Sequence, residues 1–209
     1  MTKDKDLKRR TRKRSERTGE RYAAARAQLV DGAGGEGEAA LAITRQELLV
    51  GPVEGWWKDF RPALDDLGEA EYHWAAAPGC LSVRRRGDRV VRDRPDQLGA
   101  PLATIAWQVG AMTALLELRF AAHFDDRRLA WDAVTVAYDP AAGIAALDAA
   151  HASWAAAVAA MAPADLLRMS EGPPRMIDGQ FPFIQVVLHT SQLLQAAAVR
   201  IEMIRALHP

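Results

Sequence analysis

The chain has 209 residues, of which 49% are hydrophobic and 26% charged, and its 27 basic side chains balance its 27 acidic ones. This composition is typical of a globular domain with a buried core. The single cysteine, Cys80, excludes an internal disulfide, and no Cys/His spacing of the zinc-binding kind occurs. Because the N-terminus is charged and no apolar run reaches bilayer length, we expect a cytoplasmic protein that does not contact membrane.

The zero net charge hides an unequal distribution along the chain. Residues 1–30 hold eleven Lys/Arg against four Asp/Glu, so the rest of the chain holds sixteen against twenty-three. Residues 1–17 offer almost nothing to bury, and a Gly-rich stretch begins after Asp31. We therefore predict that residues 1–36 form a basic arm and its linker. This region is predicted to be partly disordered and helical near residues 17–29. A folded domain is predicted over residues 37–209.

The basic arm has the charge needed to contact phosphates. No nucleic-acid recognition fold accompanies it, and only Tyr22 could stack on a base. The alternative is a solvated tail that docks on the acidic body of its own or another copy. We favour the tail and keep nucleic-acid binding open, with these contact candidates: Lys8, Arg9, Arg10, Arg12, Lys13 and Arg14.

The folded domain begins with a predicted helix over residues 38–67. Gly51-Pro52 is a candidate break in it, because proline fits the first turn of a helix better than its interior. A short helical turn is predicted at Glu69–Trp74. Residues 75–100 contain several turn-forming residues and form a long irregular connection, with a candidate hairpin at Leu81–Val91.

Three further helices are predicted. The first follows Pro101 and runs to about Asp126, the second covers about Pro140 to Met161, and the third runs from residues 179–182 to about Leu207. Four long helices without a sustained strand pattern predict an all-α fold, an antiparallel four-helix bundle. The last helix carries an apolar stripe at steps of three and four, which predicts its inward face: Val186, Thr190, Leu193, Ala197, Ile201 and Ile204.

Three segments of this domain resemble sequences of DinB-like bundle proteins. Residues 71–84 (EYHWAAAPGCLSVR) resemble the family's connection EEYFWEPVPGCWSVR. Residues 104–113 (TIAWQVGAMT) resemble its second helix, TIAWRLAHLT, and residues 186–207 resemble its last helix. The three segments occur in the family's order and spacing. Over most of residues 40–209 the chain thus resembles the DinB-like superfamily, which includes mycothiol-dependent maleylpyruvate isomerases.

The resemblance implies a divalent metal that activates a thiol or water. Its ligands would be a histidine on the second helix and an E/H-x3-H pair on the fourth. Here the histidine position is Ala111, and the pair positions are Leu193 and Ala197, with Ala196 in place of an adjacent histidine. None of these side chains can donate a lone pair. We therefore expect a DinB-like bundle without metal or other cofactor, and without catalysis.

Other groupings of reactive side chains have simpler explanations. His123 with Asp125 and Asp126 could hold a metal, but solvated polarity at a helix end is the simpler explanation. Cys80 would need a base such as His73 to become a nucleophile, and packing is the simpler role. The six tryptophans fit a bundle core better than a ligand pocket. They are Trp56, Trp57, Trp74, Trp107, Trp131 and Trp154.

Two functions remain, and they belong to different classes. The first is a small-molecule-binding or protein-interaction module, acting alone or as a homodimer. The second is a metal- and thiol-dependent S-transferase or isomerase with non-standard ligands. A cavity that persists where relatives hold metal would have Gln108 and Gln192 as polar groups and His189 as a hydrogen-bonding residue. Its walls would come from Trp107, Gln108, Ala111, His189, Gln192 and Leu193.

Overall fold

The computed structural model describes residues 54–94, 102–125, 127, 129–162, 164–170 and 181–209. The chain divides into two compact units, Met1–Glu47 and Leu48–Pro209, and all described residues belong to the second. The basic arm, its linker and residues 38–53 of the predicted first helix lie outside the described residues. The predicted domain boundary after residue 36 therefore stays a prediction.

The described residues are mostly helical, as predicted, and include one small sheet inside the predicted irregular connection. In chain order the helices and strands are α1 (residues 54–60), α2 (Glu69–Tyr72), β1 (Val83–Arg86), β2 (Arg89–Arg92), α3 (Ile105–Phe124), α4 (Pro140–Ala159) and α5 (Phe183–Leu207). Short 3₁₀ turns lie at Arg61–Leu64, Trp131–Ala133 and Asp165–Leu167.

The ends of the long helices follow from local capping. Helix α3, predicted to follow Pro101, begins at Ile105, because the Thr104 hydroxyl accepts a hydrogen bond from the Trp107 amide at 3.2 Å and so caps the helix there. Helix α4 begins at Pro140, as predicted, directly after its N-cap residue Asp139. Helix α5 ends at Leu207, also as predicted.

The core forms where α3 packs against α4 and α5. Trp154 near the end of α4 is fully buried, and its ring centroid lies 5.8 Å from that of Phe124 and 6.1 Å from that of Phe183. Phe124 ends α3 and Phe183 begins α5. The last turns of α3 and α4 thus meet the first turn of α5, so α5 runs antiparallel to both.

The antiparallel arrangement predicted for all the helices is wrong for α3 and α4, which run in the same direction. Gly143 lies beside Val109 near their starts, and Trp154 lies beside Phe124 near their ends. The segment between α3 and α4, described at residues 125, 127 and 129–139, is long enough to return along the roughly 30 Å of α3 and forms a crossover. Part of it packs on α3, where Val134 is buried against α3 residues.

Two arginines fix the segment that follows α1. Arg61 donates two hydrogen bonds to Asp148 of α4, at 2.7 and 3.1 Å. Arg205 near the end of α5 donates to Glu71 at 2.8 Å and to the Ala63 carbonyl at 2.6 Å. The segment that follows α1 is therefore tied to both α4 and α5 by charge-assisted hydrogen bonds.

The strands β1 and β2 pair antiparallel, with Arg86 opposite Arg89. Gly87 takes a φ of +60° at the first central position of the turn, as a type II′ hairpin requires. The hairpin is held to α3 by Arg92, which donates to the Gly110 carbonyl and lies 4.1 Å above the Trp131 ring. Burial lowers the pKa of Arg92 to about 10, so it stays charged at neutral pH.

Among the described residues, α4 is a helix long and apolar enough to cross a membrane, contrary to the expectation that no such run exists. Its length and alanine content give it this property. The same composition is found in core helices of soluble proteins, and α4 buries the Leu147 and Trp154 side chains completely.

Candidate functional site

The three positions where the resemblance implies metal ligands do not share one buried face. Ala197 is buried, Ala111 is half-buried, and Leu193 is 40% exposed. The predicted inward position of Leu193 is therefore wrong, and Leu194, at 1% exposure, takes that place. Leu193 and Leu194 both lie about one helical turn beyond Thr190, so packing against the other helices decides which of the two faces inward.

Beneath the start of α5 lies a buried arginine that the sequence did not single out. Arg119 of α3 is fully buried. Its guanidinium donates to the Val186 carbonyl at 3.4 Å and to the Thr190 hydroxyl, and lies 3.1 Å from Nδ1 of His189. The half-buried His189 side chain therefore belongs to this network. In the sequence, the sign of this network was an arginine within a mostly apolar helical segment.

The residues predicted to line one pocket lie in different places. Trp107 and Gln108 are in the first turn of α3, whereas His189 lies beside Arg119 near the end of α3. Gln192 is exposed. Because α3 and α5 are antiparallel, the first turn of α3 faces the end of α5 instead of its first half.

A cleft of about 400 Å³ lies where those two helix ends meet. We call it the Gln108 cavity. The connection before β1 supplies part of its wall, and most of its lining is apolar. The lining residues are Ala76, Leu81, Leu102, Ala103, Trp107, Gln108, Arg200, Met203, Ile204 and Leu207.

Two polar side chains line the Gln108 cavity at different depths. Gln108 is only 4% exposed, and its side-chain amide has no hydrogen-bond partner among the described residues. Arg200 lies at the surface and pairs with no carboxylate of the part of the chain that the structure describes. Trp107 donates its indole N–H to the Asp93 carbonyl at 2.8 Å. The indole N–H is thus already bonded, and the ring contributes apolar wall.

The pairing of Cys80 with His73 that nucleophilic catalysis would need is not formed. Cys80 is buried at 4% exposure. The His73 ring stacks on Tyr138, with centroids 4.0 Å apart, and its Nε2 lies 2.9 Å from the Tyr138 carbonyl oxygen. His73 therefore takes part in packing between α2 and the crossover.

The candidate cluster at the end of α3 is also dispersed. His123 packs edge-on against Phe183, with centroids 5.0 Å apart, and Asp125 forms an ion pair with Arg127. Asp126 lies outside the described residues, as do the arm's candidate contacts from Lys8 to Arg14. Across the described ranges, no three His, Cys, Asp or Glu side chains are grouped so that they could hold a metal ion.

The family model described as DinB superfamily matches residues 53–192, which is more than half of the chain. The chain belongs to the DinB superfamily. The match covers α1 to the first half of α5 and ends one residue before Leu193. No curated protein and no solved structure matches the chain.

Proposed function

We propose that this DinB-superfamily chain is a cytoplasmic four-helix bundle that has lost the family's metal site and binds a small, mostly apolar molecule in the Gln108 cavity. In this arrangement α1 is the described end of the first helix of the bundle, and α3, α4 and α5 are the other three. The Gln108 cavity then replaces the metal as the functional feature of the domain.

Loss of the metal site is supported by the side chains at the implied ligand positions. Ala111 and Ala197 offer methyl groups, and Leu193 offers an exposed isobutyl group. A zinc ion or a similar metal needs nitrogen, oxygen or sulfur donors. These side chains therefore do not form a binding site for a metal ion.

We expect protein purified without a histidine tag to carry far less than one transition-metal ion per chain, because the implied positions have no donors. Metal content would be measured by mass spectrometry of the washed protein. Stoichiometric zinc, nickel or iron would contradict loss of the metal site.

The observation that carries the binding proposal is the Gln108 amide. This amide bonds to none of the described residues, and it reaches the open space of an otherwise apolar cleft. A ligand oxygen or an ordered water could satisfy it. The cleft volume of about 400 Å³ falls within the range that small-molecule sites occupy.

The neutral apolar dye Nile red tests the cavity directly. We expect it to bind saturably with increased fluorescence, and we expect Ala76→Trp to weaken binding at least about tenfold. Ala76 is exposed at the cavity wall, so an indole there can fill the cleft without entering the core.

The matched control is Ala75→Trp, because Ala75 is equally exposed and does not line the cavity. This variant should bind the dye as the parent protein does. Absence of saturable binding to the parent, or equal binding by the two tryptophan variants, would refute the proposal.

A further inference from the structure

We propose that the ligand of the Gln108 cavity is a monocarboxylic acid with an apolar body, and that Arg200 binds its carboxylate. This inference rests on the proposed function and names the chemical class of the ligand. The apolar body would lie against the buried wall, and the charged end would lie at the surface.

Among the described residues that line the cavity, Arg200 is the one charged side chain. It is exposed at the rim, and its neighbours one turn away on α5 are Ala196, Ala197, Met203 and Ile204, none of which can pair with it. A guanidinium presents two parallel N–H groups that match the two oxygens of a carboxylate. The lining therefore combines a hydrocarbon wall with one free anion-binding group.

Arg200 determines the sign of the charge that a ligand should carry, because the other charges near the cavity cancel or are already paired. The positive end of the α3 dipole and the negative end of the α5 dipole both lie at this cavity, so they largely cancel. The Asp93 carboxylate accepts from Arg84 at 2.9 Å and from the Ser82 amide at 3.0 Å, and Glu71 is paired with Arg205. Glu202 is exposed and does not line the cavity.

The single cation also argues for a carboxylate over a phosphate monoester. A phosphate monoester carries close to two negative charges at neutral pH and is usually held by several cationic or N–H donors. In the described part of its lining, the cavity offers one guanidinium and the neutral Gln108 amide. A carboxylate, with one negative charge and two acceptor oxygens, matches these two groups.

Displacement of Nile red from the full chain tests the assignment with decanoate, decanol and decyl phosphate. In the parent protein we expect decanoate to displace the dye at lower concentration than decyl phosphate. Arg200→Gln should weaken decanoate about threefold to tenfold, since a surface ion pair is partly screened by water. The loss for decanoate should exceed any change in the affinity for decanol or the dye, because neither of these carries a negative charge.

The matched control is Glu202→Gln, which alters a nearby exposed charge outside the cavity and should leave the decanoate affinity unchanged. Equal decanoate binding by the parent and Arg200→Gln would overturn the assignment while the dye still reports a working cavity. Tighter binding of decyl phosphate than of decanoate would overturn the choice of a carboxylate. Failure of the dye to bind at all would instead refute the proposed function.

Discussion

Replacing Trp154 by alanine is expected to lower the free energy of unfolding by about 3–5 kcal/mol. Its side chain is fully buried and packs edge to face on Phe124, while its ring lies tilted against Phe183. The substitution would leave a large cavity where three helices meet. Since domains of this size are stable by only about 5–15 kcal/mol, the loss is a large share of the total.

Urea unfolding followed by circular dichroism would measure this change as a lower midpoint at unchanged slope. The matched control is Ser153→Ala on the same helix, because Ser153 is exposed and its loss should change stability by at most about 0.5 kcal/mol. A loss below about 1 kcal/mol for Trp154→Ala would show that this indole is not part of the packed core.

Gly143→Ala is expected to destabilise the protein by about 1–3 kcal/mol, although alanine normally stabilises a helix relative to glycine. A Cβ at Gly143 would overlap the Tyr72 hydroxyl oxygen and lie 3.3 Å from its Cζ. Tyr72 is 1% exposed and cannot turn into solvent, and burial raises the pKa of its hydroxyl. The glycine is therefore required by the close approach of α2 to α4.

The same substitution in a Tyr72→Phe background separates this contact from other effects. Removing the hydroxyl takes away the closest atom, so the cost of Gly143→Ala should fall by at least about 1 kcal/mol in a double-mutant cycle. Unfolding free energies of the four proteins would give the coupling. If Gly143→Ala stabilised the parent protein, as at an ordinary helical glycine, the close contact would be disproved.

The long helices were predictable because their information is local. An apolar period indicates α3 and α5, whereas α4 is marked by its alanine content and by the Asp139-Pro140 pair at its start. For α3, Pro101 indicated only that the helix follows it, whereas the Thr104 hydroxyl supplies the cap that fixes the first residue. The hairpin was also foreseen, since Gly87-Asp88 stands between two strand-forming runs.

The candidate pocket was only half predictable, and the reason is topological. Trp107 and Gln108 do line a cavity, but their partners are Arg200 and Met203 rather than His189 and Gln192. A simple alternating bundle makes its second and fourth helices parallel, which would bring residue 107 near residue 189. The crossover over residues 125–139 reverses that relation.

By itself, the sequence determined the helical composition, the family and the absence of donor atoms at Ala111, Leu193 and Ala197, because residue identity and local periodicity carry all three. Only the tertiary structure decided that α3 and α4 run parallel, that Leu194 rather than Leu193 faces inward, and that Gln108 shares a cleft with Arg200. These features depend on the direction and rotation of whole helices. Contacts between residues distant in the chain fix that direction and rotation, and the period of a single helix does not encode them.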